Sequence, residues 1–135
     1  AAQSFAVAGV LSALTGKTSP AMDNPLDQMA ARIAVNRTVA GLHFPCDSAA
    51  GAVLGIAVAR WVLARAGAAP HAGQVSLDAE EWGKGAPDNN RDFHLPALCD
   101  AKFHPNEEEK LEVEEAPMLA SLWTEVTREW GERWG

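Results

Sequence analysis

The sequence predicts an all-α fold, and three observations carry that expectation. From Pro117 onward, Leu119, Leu122, Trp123, Val126 and Trp130 recur at helical spacing, with Glu125, Glu129 and Glu132 away from part of that stripe. Asn24 and Pro25 form a helix start signal, an N-cap followed by a proline at the first helical position. Between about Ser48 and Ala66 runs a stretch rich in Ala and Gly, residues that let neighbouring backbones approach closely. With 135 residues and 47% hydrophobic content, the chain has one domain's length and enough apolar matter for a helical core.

Taken in order, residues 1–15 read as a helix with Phe5, Ala8, Leu11 and Leu14 on one face and Gly16 as its C-cap. The second helix starts at Asn24, has Asp27 in its first turn to complement the dipole, and is expected to bury Leu26, Met29 and Ile33. Gly41 and Pro45 turn the chain into the third helix, from about Ser48 to Ala66, with Asp47 as its N-cap. Gly51 and Gly55 there form a Gly-x3-Gly, the pattern of membrane helix pairs. Arg60 and Arg65 leave only about a dozen uncharged residues where about 20 are needed to span a bilayer, so a core helix of a soluble bundle is expected, periplasmic or cytoplasmic. Residues 1–66 thus form the helical core, 67–115 an irregular acidic connecting region with short helical pieces, and 116–135 an amphipathic Trp-rich helix that docks on the bundle or on a partner.

The net charge of −7 is unevenly spread: residues 1–75 hold five basic and three acidic side chains, residues 76–135 six and fifteen. So acidic a tail argues against nucleic acid as a partner. Cys46 and Cys99 fix no compartment and are read as free thiols, a bridge between them remaining the alternative. His94, Cys99 and His104 stand five residues apart in turn, but that spacing fits no standard zinc signature, and no metal is expected there.

Chemistry concentrates in Arg37, His43 and Asp47, spaced Arg-x5-His-x3-Asp in a segment with no other charge between the arginine and the aspartate. A guanidinium presents a planar fork of donors that suits a tetrahedral oxyanion. A neutral histidine becomes a nucleophile or ligand once a carboxylate fixes its tautomer. Singly, each has an ordinary reading: a helix-end cation, a loop histidine, a helix cap. Together they outline a phosphate or vanadate site.

At Asn36-Arg37, His43-Phe44-Pro45, Asp47 and the small-residue continuation Ala50-Gly51 to Leu54-Gly55, the sequence resembles the superfamily of type 2 phosphatidic acid phosphatases, bacterial non-specific acid phosphatases and vanadium-dependent haloperoxidases. Asn36 stands where that family has serine. The resemblance implies a helix bundle of the acid phosphatase and haloperoxidase type, with Arg37 on the oxyanion, His43 as phosphohistidine nucleophile or covalent vanadate ligand, and Asp47 on the second ring nitrogen. The phosphatase form implies no cofactor and a phosphorylated small molecule as substrate. The haloperoxidase form implies vanadate, a halide and peroxide.

The family's two earlier blocks, Lys-x6-Arg-Pro and Pro-Ser-Gly-His, do not occur in these residues. The opening AAQSFAVAGVLSAL is similar to the helix that runs on from Pro-Ser-Gly-His. The chain is therefore expected to be the C-terminal segment of a longer protein or to work with a companion chain. That expectation places the start of the first helix beside the pocket and leaves apolar faces exposed. A non-catalytic subunit that keeps the fold, with its acidic loops and Trp helix used for assembly, and a possible oligomer, is the rival from another class.

Overall fold

The computed structural model describes residues 1–70, 72–73, 75–78, 80, 82, 92–99 and 110–134. Helix makes up 65% of these residues and strand 4%, which establishes the all-α class. The elements run α1 (Ala2–Leu14), α2 (Pro25–Val39), α3 (Pro45–Arg65), β1 (Ala72–Gly73), α4 (Leu95–Leu98), β2 (Lys110–Leu111) and α5 (Pro117–Trp134).

The central contact is α1 against α3, where small residues bring two backbones together. A Cβ on Gly55 would run into the Ala2 carbonyl oxygen and stand 2.8 Å from Phe5 Cβ; one on Gly9 would stand 2.6 Å from Ala59 Cβ. Gly51 meets Ala1 in the same way. The Gly-x3-Gly of α3 therefore serves packing within this chain. Phe5, fully buried, fills the space between the helices. Length and composition alone would let α3 cross a membrane: its mean hydropathy reaches 1.4 over an 18-residue window, 39% of which is buried. A core helix packed on its neighbours has the same length and composition, so these properties do not decide between the two.

Asn24 caps α2 as its sequence predicts, its side-chain oxygen accepting from Leu26 N at 3.1 Å, with Pro25 in the first turn. The buried face of α2 is not the expected one. Asp27, Ala30, Ala31 and Ala34 face inward, while Leu26 is half-buried and Met29 and Ile33 are 56% and 44% exposed. The alanines win because they let α2 lie close to its neighbours, and the large side chains are left to line a cleft beside α1. On α1 likewise Ser12 is buried and Leu11 is partly exposed. Ser12 turns inward because its hydroxyl accepts from Asn24 Nδ2 at 2.7 Å.

Asp27 is a staple rather than a dipole partner at the surface. Its carboxylate accepts from Ser19 Oγ at 2.7 Å and from Ala21 N at 3.0 Å, which ties the loop after α1 to the start of α2. Burial pushes its pKa up, and the hydrogen bonds oppose that shift.

The connecting region contributes more to the core than its composition suggests. Phe93 meets Phe5 edge to face with centroids 6.0 Å apart and stacks on Trp82 at 6.3 Å, and Leu95 and Leu98 close the cluster. A two-stranded antiparallel ladder, unexpected from the sequence, pairs Ala72 with Leu111 and Gly73 with Lys110. It brings the start of α5 to the end of α3, where Ala116 N donates to Arg65 O at 2.8 Å and Arg65 Nη1 donates to Glu114 O at 2.9 Å. On α5, Leu119, Trp123 and Val126 are half-buried, whereas Met118 and Leu122 are exposed. Cys46 and Cys99 are both free thiols.

Three predictions test this architecture. Gly55→Ala gains about 1 kcal/mol of helix propensity but forces its methyl into the Ala2 carbonyl, an overpacking cost of about 1–3 kcal/mol, so the net effect in urea denaturation is a loss. Gly131→Ala on α5 meets nothing within 4 Å and should stabilise by up to about 1 kcal/mol. Asp27, with its folded pKa raised above 3.8, binds more protons folded than unfolded, so its ionisation lowers stability as pH rises through the folded pKa. Asp27→Asn loses an acceptor for Ser19 or Ala21. Its stability deficit relative to the parent should be largest at low pH and shrink as pH rises; a deficit that grows with pH contradicts the assigned direction.

Candidate functional site

The end of α2 and the start of α3 deliver the candidate residues through one tight turn. Leu42 N donates to Arg37 O at 3.0 Å and Gly41 N to Thr38 O at 2.9 Å, with Gly41 at φ +72, a conformation glycine adopts without a steric penalty. This left-handed termination stops α2 within four residues of Arg37 and reverses the chain into His43. Phe44, extended at φ −83 and ψ 157, is the N-cap of α3, and Pro45 is its first residue. The helix thus begins three residues before the expected Ser48.

Asp47 is correspondingly the third residue of α3 and not its N-cap. Its Oδ2 accepts from Phe44 N at 2.9 Å, satisfying a backbone donor ahead of the helix, and Asp47 N donates to Phe44 O at 3.1 Å. The same Oδ2 stands 3.7 Å from His43 Nδ1, an ion-pair distance longer than a hydrogen bond. The direct His43–Asp47 hydrogen bond that the resemblance implies is therefore not formed: the carboxylate is held by the nearer backbone N–H. The two side chains are 43% and 50% exposed.

Arg37 and His43 line one cleft of about 790 Å³ between α1 and α2. Asp47 is not on its wall; it stands behind the histidine. Ala1 and Ala2 border the same cleft, so α1 does begin beside the pair, and Val7, Leu11, Met29 and Ile33 form an exposed apolar wall. Gln3 and Ser4 add polar groups that sequence reasoning did not single out. Their position at the mouth of α1 carried no motif. Across the turn, Ser48 Oγ donates to Ala34 O at 3.4 Å and fixes the approach of α3 to α2. Asn36, in the place of the family's serine, is exposed.

Chemically, the cleft has a cationic end with an imidazole beside it and an apolar flank. Arg37 also lies in the last turn of α2, where a cation is favoured by the helix dipole. Among the described residues no three His, Cys, Asp or Glu side chains form a group able to hold a metal. His94 is engaged as the cap of α4, its Nδ1 accepting from Ala97 N at 3.2 Å. Cys99 is half-buried, and burial, then the nearby Asp27 charge, pushes its thiol pKa up. His104 lies outside the described residues.

The capping contact gives a direct test. Asp47→Ala removes the acceptor of Phe44 N and should cost about 0.5–2 kcal/mol in denaturant unfolding. Asp47→Asn, which can still accept that bond, should cost less.

No family model matches the chain, and no curated protein and no solved structure matches it significantly.

Proposed function

We propose that this chain carries the oxyanion half of a phosphatase-type site in a helix bundle of the acid phosphatase and haloperoxidase type, with Arg37 binding phosphoryl oxygens and His43 as nucleophile. The observation that carries the reading is that Arg37 and His43 border a single cleft while the Asp47 carboxylate stands 3.7 Å behind His43 Nδ1. In this mechanism His43 Nε2 attacks phosphorus in line and breaks its bond to the leaving oxygen, while Asp47 stabilises the positive charge that develops on the imidazole. Closing the 3.7 Å gap to a hydrogen bond takes a small rotation of the histidine, and catalytic hydrogen bonds commonly tighten when substrate binds. Water then releases phosphate from the histidine. The resemblance gives protonation of the leaving group to a second histidine in a Pro-Ser-Gly-His context that these residues lack, so a companion segment or chain supplies it.

Vanadate adopts the geometry of a pentacoordinate phosphoryl group, so the same residues suit a haloperoxidase cofactor held on His43. A non-catalytic subunit is the alternative that the exposed apolar wall favours, since Met29 and Ile33 offer area for a partner.

The test is phosphomonoester hydrolysis with and without vanadate, beside bromide oxidation by peroxide, on the protein together with any segment that supplies the missing blocks. His43→Ala should abolish turnover, and Asp47→Asn should lower it about a hundredfold. Inhibition of hydrolysis by vanadate supports the phosphatase. Halide oxidation that requires vanadate supports the haloperoxidase. Turnover unchanged in His43→Ala rejects both, and absence of either activity leaves the structural subunit.

A further inference from the structure

At the opposite end of α1 from Arg37 and His43 lies a second cleft, of about 250 Å³, that shares no lining residue with the first. Arg60 of α3 borders it with Lys17, Thr18 and Ser19 of the loop after α1, over an apolar floor that includes Ile56 and Leu63. Two cations and two hydroxyl-bearing residues thus face a space sized for a small ion, with no acidic residue on its wall.

Arg60 is the telling member. Its Nη1 is shielded from solvent and has no hydrogen-bond partner, and no carboxylate pairs with either Arg60 or Lys17 among the described residues. Burial with no counter-charge pushes the guanidinium pKa down from its ordinary value. Arg60 as a whole is half-buried, but a guanidinium nitrogen shut off from solvent without a partner is costly, and structures normally satisfy one. The carbonyls at the end of α1 are not that partner. Those of Leu11, Ser12 and Ala13 are taken by backbone donors of Thr15, Gly16 and Lys17, and Arg60 Nη1 donates to none. Asp27, the nearest acid to the loop, is held by Ser19 Oγ and Ala21 N and does not border the cleft.

We infer that this cleft is a second anion site, in which Arg60 and Lys17 bind a phosphate-class oxyanion. The guanidinium offers a fork for two oxygens, Lys17 adds a point charge, and Thr18 supplies a hydroxyl at the rim. The small volume and the Ile56–Leu63 floor favour a compact tetrahedral anion over a nucleotide or an extended acidic peptide.

The experiment is calorimetric titration and thermal unfolding with inorganic phosphate at constant ionic strength, carried out on an Arg37→Ala background so that the first cleft does not report. That background should still bind phosphate saturably and show a rising unfolding midpoint. Arg60→Met, which keeps the packing length, should raise Kd tenfold or more. In phosphate-free buffer it should unfold at or above the midpoint of its parent, since a shielded guanidinium nitrogen without a partner has been removed. Lys17→Met, at an exposed position, should raise Kd several-fold and reads the site independently should Arg60→Met fail to fold. No saturable binding to the Arg37→Ala protein, or binding that Lys17→Met leaves unchanged, overturns the inference. Failure of the hydrolysis assay alone leaves it standing, because no residue is shared with Arg37 and His43.

Discussion

The close approach of α1 to α3 is the constraint on which the rest of the molecule depends. Gly55 sits under the Ala2 carbonyl and Gly9 faces Ala59, so the two backbones lie nearer than any pair of larger residues would permit. That proximity makes room for Phe5 between the helices and gives Phe93 and Trp82 a surface to cover. It also sets both clefts. One opens where the start of α1 faces α2 and the turn into α3, the other where the end of α1 passes Arg60.

A second economy is visible at the turn between α2 and α3. One glycine in the left-handed region, one proline and one carboxylate end one helix and begin the next within eight residues. The carboxylate has a local duty at Phe44 N, and that duty draws it slightly away from His43. A structural cap and a histidine partner compete here for the same oxygen, and the cap wins because its donor is closer and lies in the fixed backbone.

Two ionisable groups of the helical core, Asp27 and Arg60, are shielded from solvent in different ways. Asp27 is buried with partners and serves as a loop staple. Arg60 is shielded without one. Both lie near the Lys17–Ser19 loop, the carboxylate accepting from Ser19 and the arginine lining a cleft with Lys17, Thr18 and Ser19.

The helices and their punctuation are legible in the residues alone: Asn24-Pro25 starts α2, Gly41 stops it, and Pro117 opens a helix with an apolar stripe, because caps, glycines and prolines act through bonds within a few residues. The sequence also brought Arg37 and His43 together, since a six-residue separation across one turn leaves them few places to go. It misjudged which face of α2 is buried, for apolarity alone ranks Met29 and Ile33 above Ala30 and Ala34, whereas the face packed against the neighbouring helices holds the smaller residues. The same holds for the Phe5–Phe93 contact and the β1–β2 ladder, which join residues remote in the chain. Contacts across sequence separations of tens of residues leave no local signal, so they emerge only when the helices pack.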